Sequence, residues 1–305
     1  MLVLSRWPSW VPKGGHPQRG WVPWSVPPKS SLTDVAVLLA KEAGELIALR
    51  RQGSIEVANT KSSTVDIVTA VDKESEALLF ARLGELRPGD GFLGEEGQAN
   101  ESTTGITWVV DPIDGTVNFF YDIPHYAVSI AAVSGPPVPG QWSVEAGAVY
   151  NPATKELFWA GKGEGAYFGE RRLQIATPPP LNQALLATGF AYSSAMRKEQ
   201  SRLMHQILPQ IRDLRRMGTA SLDLAAVAAG RVDMYFERTL SPWDHAAGEL
   251  LVTEAGGVIR GIAGMAAGHE GLYAGHKDLV DQLQSLVSKL DGETLLQDIP
   301  GWGLE

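Results

Sequence analysis

The stretch WVVDPIDGTVNF, from Trp108 to Phe119, sets two carboxylates three positions apart, Asp111 and Asp114, directly before the pair Gly115-Thr116. Trp108 to Val110 read as a buried strand that stops on Asp111 and so delivers an acid to the rim of a sheet, where ligands bind. Asp114 falls in the turn, and Gly115-Thr116 opens a short helix. Amides at a helix start lack internal partners and carry the positive end of the peptide dipoles, so they suit a phosphate. Two carboxylates beside that phosphate would repel it unless a cation sat between them. The pattern therefore predicts a metal-bridged phosphoryl site. Asp-Pro and Asp-Gly pairs also make plain turns, so this motif needs company elsewhere in the chain.

Three further segments provide it. Lys61 to Asp66 runs on to Thr69 and Asp72, Glu95 and Glu96 lie between Gly94 and Gly97, and Ser241-Pro242-Trp243 ends on Asp244. Each has a plainer reading. Asp72 and Asp244 stand where helices begin and would serve as caps. Asp66 would brace its loop, and Glu96 would be a solvated neighbour of Glu95. His245 reads first as a packed or surface histidine, with substrate contact as the alternative, and His125 reads as a strand start without chemistry. Ser62 and Ser63 lack the His/Asp company of a serine nucleophile.

Composition narrows the chemistry. The 305 residues contain no cysteine, which excludes disulfides, thiolate zinc sites, iron–sulfur clusters and cysteine nucleophiles. Any metal must be held by oxygen or imidazole. With six scattered histidines and 35 acids, a hard cation such as Mg2+ is the natural choice. A net charge of −9 argues against a broad basic face for nucleic acid, and no apolar run approaches the roughly 20 residues that span a bilayer.

The elements that must position these residues follow from periodicity and punctuation. A helix is expected from Ser31 to about Gly53, with Asp34 completing its cap and Leu32, Val35, Leu39, Ala43, Leu46 and Ile47 facing inward. A second runs from Ala70 to Leu86. Strands at 91–94, 106–111, 126–133, 143–150, 156–160 and 165–168 suggest an antiparallel sheet. After Pro178 to Pro180 strands and helices alternate, with strands at 184–189, 213–217, 232–237 and 257–260 and helices at 195–208, 219–229, 243–255 and 277–290. The reading divides the chain into a leader (1–30), an N-terminal α+β half with most of the acids (31–180), a C-terminal α/β half (181–293) and a tail (294–305). The leader interleaves Trp7, Trp10, Trp21 and Trp24 with six prolines, which forbid a continuous helix. It is expected to be poorly ordered or loosely docked.

The four segments in this order resemble the inositol monophosphatase family of the fructose-bisphosphatase-like, lithium-sensitive phosphatases. WVVDPIDGTVNF looks like the family's first signature, and WDHAAGELLVTEAGG, Trp243 to Gly257, like its second. The likeness extends from Ser31 to about Leu290. It implies a layered αβαβα sandwich and a cytoplasmic, homodimeric enzyme. The activity implied is Mg2+-dependent hydrolysis of myo-inositol monophosphates by a metal-activated water, with two to three ions in the site. By resemblance, Glu95, Asp111, the Ile113 carbonyl, Asp114 and Asp244 hold metal. Thr116, paired with Asp72, prepares the attacking water near Glu95. Gly115 and Thr116 hold the phosphate, Gly218, Thr219, Ala220 and Glu237 line the substrate pocket, and Lys61 closes a loop over it. Glu237, seven positions before Asp244, favours a polyol. Histidinol phosphate and fructose 1,6-bisphosphate remain as alternative substrates. A regulatory protein binding transcription or ribosome components is the reading from another class. Histidine at position 245 and the Trp/Pro leader depart from the family pattern.

Overall fold

The computed structural model describes residues 30–53, 57–60, 67–290 and 298. Expectations for Lys61, Asp66, the leader before residue 30 and nearly all of the tail lie outside the described residues.

Helix α1 (Leu32–Arg51) starts on a reciprocal capping box between Ser31 and Asp34 and ends on Arg50 and Arg51, whose charges suit the carbonyl end of the dipole. Strands β1 (Val57–Thr60) and β2 (Ile67–Thr69) pair and lead into α2 (Ala70–Leu86). Strands β3 (Gly91–Gly94), β4 (Ala99–Asn100) and β5 (Ile106–Asp114) follow, then the short helix α3 (Thr116–Phe120). A meander completes the first half: β6 (Ala127–Ser134), β7 (Ser143–Asn151), β8 (Glu156–Gly161), β9 (Gly165–Phe168) and β10 (Arg171–Arg172). These strands form one eight-stranded sheet, ordered β10-β9-β8-β7-β6-β5-β3-β4. All its pairings are antiparallel except β3 with β5.

Beyond it come β11 (Leu185–Ala187), α4 (Ser194–Ile207), β12 (Asp213–Arg215), α5 (Ala220–Ala228), β13 (Met234–Glu237), α6 (Pro242–Glu254), β14 (Val258–Gly261), β15 (Leu272–Gly275) and α7 (Lys277–Lys289). The five strands form a second, mixed sheet ordered β12-β11-β13-β15-β14.

Side-chain patterning explains the layers. In β6, Val128, Ile130 and Ala132 pack under α1 and α2, while Ala127, Ala131 and Val133 face the other way onto α5 and α6. A strand buried on both faces reads as a nearly continuous apolar run, interrupted here by the buried Ser129. Every residue of α5 is buried, as befits a helix caught between two sheets. The outer face of the second sheet is covered by α4 and α7, through Leu203, Met204, Ile207, Leu279, Val280 and Leu283. The order is α1/α2, eight-stranded sheet, α5/α6, five-stranded sheet, α4/α7, the αβαβα sandwich that the family resemblance implied.

Two local differences matter. Asp114 closes β5 instead of lying in the turn, because the strand bulges after Asp111 and resumes pairing at Asp114 with Ala127. Strand β15 was not expected. Its four residues, Leu-Tyr-Ala-Gly, are too few for a period to register, and its pairing partners, β13 and β14, precede it in the chain.

Candidate active site

A cleft of about 830 Å³ opens between the two sheets. Its walls include Glu95, Asp111, Ile113, Asp114, Gly115, Thr116, Gly218, Thr219, Ala220, Glu237 and Asp244. Strand register accounts for the first pair. Gly94 pairs with Val110 at the end of the parallel β3–β5 ladder, so the next residues, Glu95 and Asp111, come side by side there. The Glu95 amide donates to the Val110 carbonyl at 3.2 Å, and the Glu95 side chain comes close enough to Asp111 to push its carboxyl up. Asp111 Oδ1 also accepts the Ile113 amide at 3.0 Å, across a proline that has no amide of its own.

Asp114 is braced from the other half of the molecule. Its Oδ2 accepts the Ser221 amide at 2.7 Å and the Ser221 hydroxyl at 2.5 Å. Ser221 belongs to the first turn of α5, so a carboxylate from β5 caps a helix of the second half. The Thr219 hydroxyl, which leaves that cap to Asp114, donates instead to the His125 carbonyl at 2.9 Å. Asn118 adds two ties, from Nδ2 to the carbonyls of His125 (2.7 Å) and Met217 (2.8 Å). Gly115 is held at φ 90, and a Cβ there would stand 2.5 Å from the Thr219 hydroxyl oxygen, so only glycine fits the turn.

Asp72 and Asp244 hold matching positions at the third residue of their helices. Each sends Oδ2 back to the N-cap amide, of Thr69 at 2.9 Å and of Ser241 at 2.6 Å. The capping and chemical readings are therefore compatible, because the cap uses one oxygen. Oδ1 of Asp72 lies 3.0 Å from the Thr116 hydroxyl, which is also 3.0 Å from the Ile113 carbonyl oxygen. Asp72 is buried behind the cleft and is joined to it through Thr116.

The electrostatics are those of crowded acids. Burial, then repulsion by Glu95, Asp114 and Asp244, holds Asp111 well above the usual carboxylate range. Burial, then repulsion by Glu95, Asp114 and Glu237, raises Asp244 in the same way. Burial lifts Asp114 to about 7 against the hydrogen bonds from Ser221. Asp72 is lifted to about 6, again by burial, and Glu237 to about 7, with the Tyr235 hydroxyl (2.5 Å from its Oε2) and Arg216 pulling it down. Raised in this way, Asp111, Asp114 and Asp244 would release protons when a cation binds among them. Among the described residues no three His, Asp or Glu side chains are closed up into a metal-holding cluster as they stand. The donor set itself, carboxylates and a carbonyl without sulfur, fits a hard divalent ion.

His245 is fully buried and does not line the cleft. Its Nδ1 lies 2.8 Å from Glu249, and Trp142 donates to the same carboxylate at 3.3 Å. The sequence did not point to Asn118, Ser221 or Tyr235, nor to the cleft residues Arg197, Arg216, Tyr192 and His269. Ser221 adjoins the pocket residue Ala220, and Asn118 lies inside the first motif, so proximity was the only available signal.

The alternating layers and the acid-lined cleft define a protein of the inositol monophosphatase family, and the chain belongs to it: the family's profile matches residues 29–294. Over 243 residues the chain is 44% identical to inositol-1-monophosphatase SuhB of Mycobacterium tuberculosis (strain H37Rv), covering 74% of this chain and 82% of that protein. It is 39% identical over 235 residues to the Nus factor SuhB of Escherichia coli K12, with 76% and 86% covered. The crystal structure of the extragenic suppressor protein suhB from Bartonella henselae superposes with a TM-score of 0.77 at 34% identity, covering 85% of this chain and 99% of that one.

Proposed function

We propose that the protein is an Mg2+-dependent phosphomonoesterase that releases phosphate from myo-inositol monophosphates by a single in-line attack of water. The observation that carries this reading is the convergence of Glu95, Asp111, Asp114 and Asp244, from three separate segments, on one cleft that also holds Glu237. Those four carboxylates and the Ile113 carbonyl would hold two to three ions. Bound Mg2+ supplies charge neutralisation at the phosphate and a lowered pKa for the attacking water.

The chain's own groups do the rest. Ionised Asp72 accepts the Thr116 hydroxyl proton in a hydrogen bond, which leaves the Thr116 oxygen lone pairs to receive a proton of the attacking water. The amides of Gly115 and Thr116 bind the phosphate oxygens, and their rigid turn needs no reorganisation as charge builds there. Gly218, Thr219 and Ala220 form the wall against the ring, and Glu237 accepts hydrogen bonds from ring hydroxyls. Lys61 is assigned to the loop over the cleft by resemblance alone. Family kinship likewise supports lithium inhibition, a homodimeric state and a cytoplasmic location. The name of the Escherichia coli relative, Nus factor, favours one second reading, a regulatory role in binding transcription components.

Phosphate release from a panel of monoesters, with and without Mg2+, tests the proposal. Inositol phosphates should exceed histidinol phosphate and fructose 1,6-bisphosphate, and Glu237→Gln should depress the polyol substrates most. Metal-independent turnover, or none on any monoester, would refute it.

A further inference from the structure

Glu76 lies on α2, is 1% exposed, and has no part in the chemistry above. Its carboxylate reaches the turn that carries Glu95. Oε2 accepts the Glu96 amide at 2.7 Å, and Oε1 accepts the Gln98 amide at 2.9 Å. The close approach depends on Gly94, where a Cβ would stand 2.2 Å from Oε2. The turn is otherwise held by the Gly94 amide on the Gln98 carbonyl (3.0 Å) and the Glu95 amide on the Val110 carbonyl (3.2 Å). The strand beyond it, β4, is two exposed residues and offers little further anchorage.

We propose that Glu76 is a positioning residue for Glu95: by clamping the amides on its C-terminal side, it presents the Glu95 carboxylate beside Asp111 and thereby sets the affinity of the cleft for a divalent cation. A carboxylate suits this task because it accepts two amides at once without donating. Residues that orient a metal ligand from behind typically change affinity 10- to 100-fold when lost. The inference rests on the reading of the cleft as a Mg2+ site.

Calorimetric titration of the metal-free full chain with Mg2+ tests it, read as Kd and compared among wild type, Glu76→Gln, Glu76→Ala and Glu95→Gln, with each variant's Tm alongside. Glu76→Gln keeps the shape but turns an NH2 group on one of the two amides, so Kd should rise roughly 10-fold, and more in Glu76→Ala. Wild-type Kd in both Glu76 variants, at a lowered Tm, would make the residue merely structural and overturn the inference, while weak binding in Glu95→Gln upheld the metal reading. A wild type that takes up no Mg2+ would overturn both. Should the variants fail to fold, hydrogen exchange on the wild type decides: Mg2+ should slow the amides of Glu96 and Gln98, and unchanged exchange there refutes the coupling.

Discussion

The crowded acids make stability a test of the site without any substrate. Asp114 is lifted from 3.8 to about 7, so between those pH values the folded chain binds more protons than the unfolded one. Its contribution therefore favours folding at low pH and fades as pH rises through 7. For a single group with these values the loss between pH 5 and pH 8 is about 3 kcal/mol. Asp111, Asp244, Asp72 and Glu237 are shifted in the same direction and add to it. His125, whose pKa is lowered by burial, opposes them below its ordinary value of 6.5. Urea unfolding of chelator-treated protein at pH 5 and pH 8 should thus show lower stability at the higher pH. Asp114→Asn should flatten that decline by about 3 kcal/mol or more, since it also relieves repulsion on Asp111 and Asp244. Mg2+ at one hundred times its Kd should return about 3 kcal/mol at pH 8. A metal-free wild type as stable at pH 8 as at pH 5, or an Asp114→Asn slope equal to the wild-type slope, would refute the reasoning.

Three other outcomes are expected. Thr116→Val and Asp72→Asn should each lower kcat roughly 100-fold or more with little change in KM, and the double variant should be no worse than either; steady-state kinetics that show additive losses would separate the two groups. Gly115→Ala should cost about 2 kcal/mol of stability or more, read from the urea midpoint, because a left-handed φ and a 2.5 Å contact with Thr219 combine there. Arg216→Met removes a cation that holds Glu237 down, so Glu237 should ionise at a higher pH. The acid limb of kcat/KM for inositol phosphate should move up accordingly, while a monoester without hydroxyls shows no such shift.

Much of this was legible in the residues, for reasons that differ by element. The capping box at Ser31 and the Thr69–Asp72 start are local, so spacing along the chain reveals them. The eight-stranded sheet is a meander whose neighbours follow one another in sequence, and turn residues mark its corners. The nearness of Glu95 to Asp111 rests on the β3–β5 register, which spacing alone does not encode, and the family motif stood in for it. Ser221 under Asp114 and Glu76 under the Glu95 turn were not legible. Each is a hydrogen bond between distant segments, and neither side chain belongs to a motif. His245 was rightly weighed toward packing, since it follows Asp244 into the interior face of α6.

The brace between Asp114 and Ser221 also bears on how the chain comes into being. Synthesis proceeds from the N-terminus at about 5–20 residues per second, so Glu95, Asp111 and Asp114 leave the ribosome on the order of ten seconds before Asp244 does. Through that interval the nascent polypeptide carries three acids without their fourth companion, and until Ser221 is made Asp114 also lacks the helix that it caps. Chains arrested short of Ser221 would lack the brace that fixes Asp114, so the acid-lined cleft is completed only after the second sheet has begun to form.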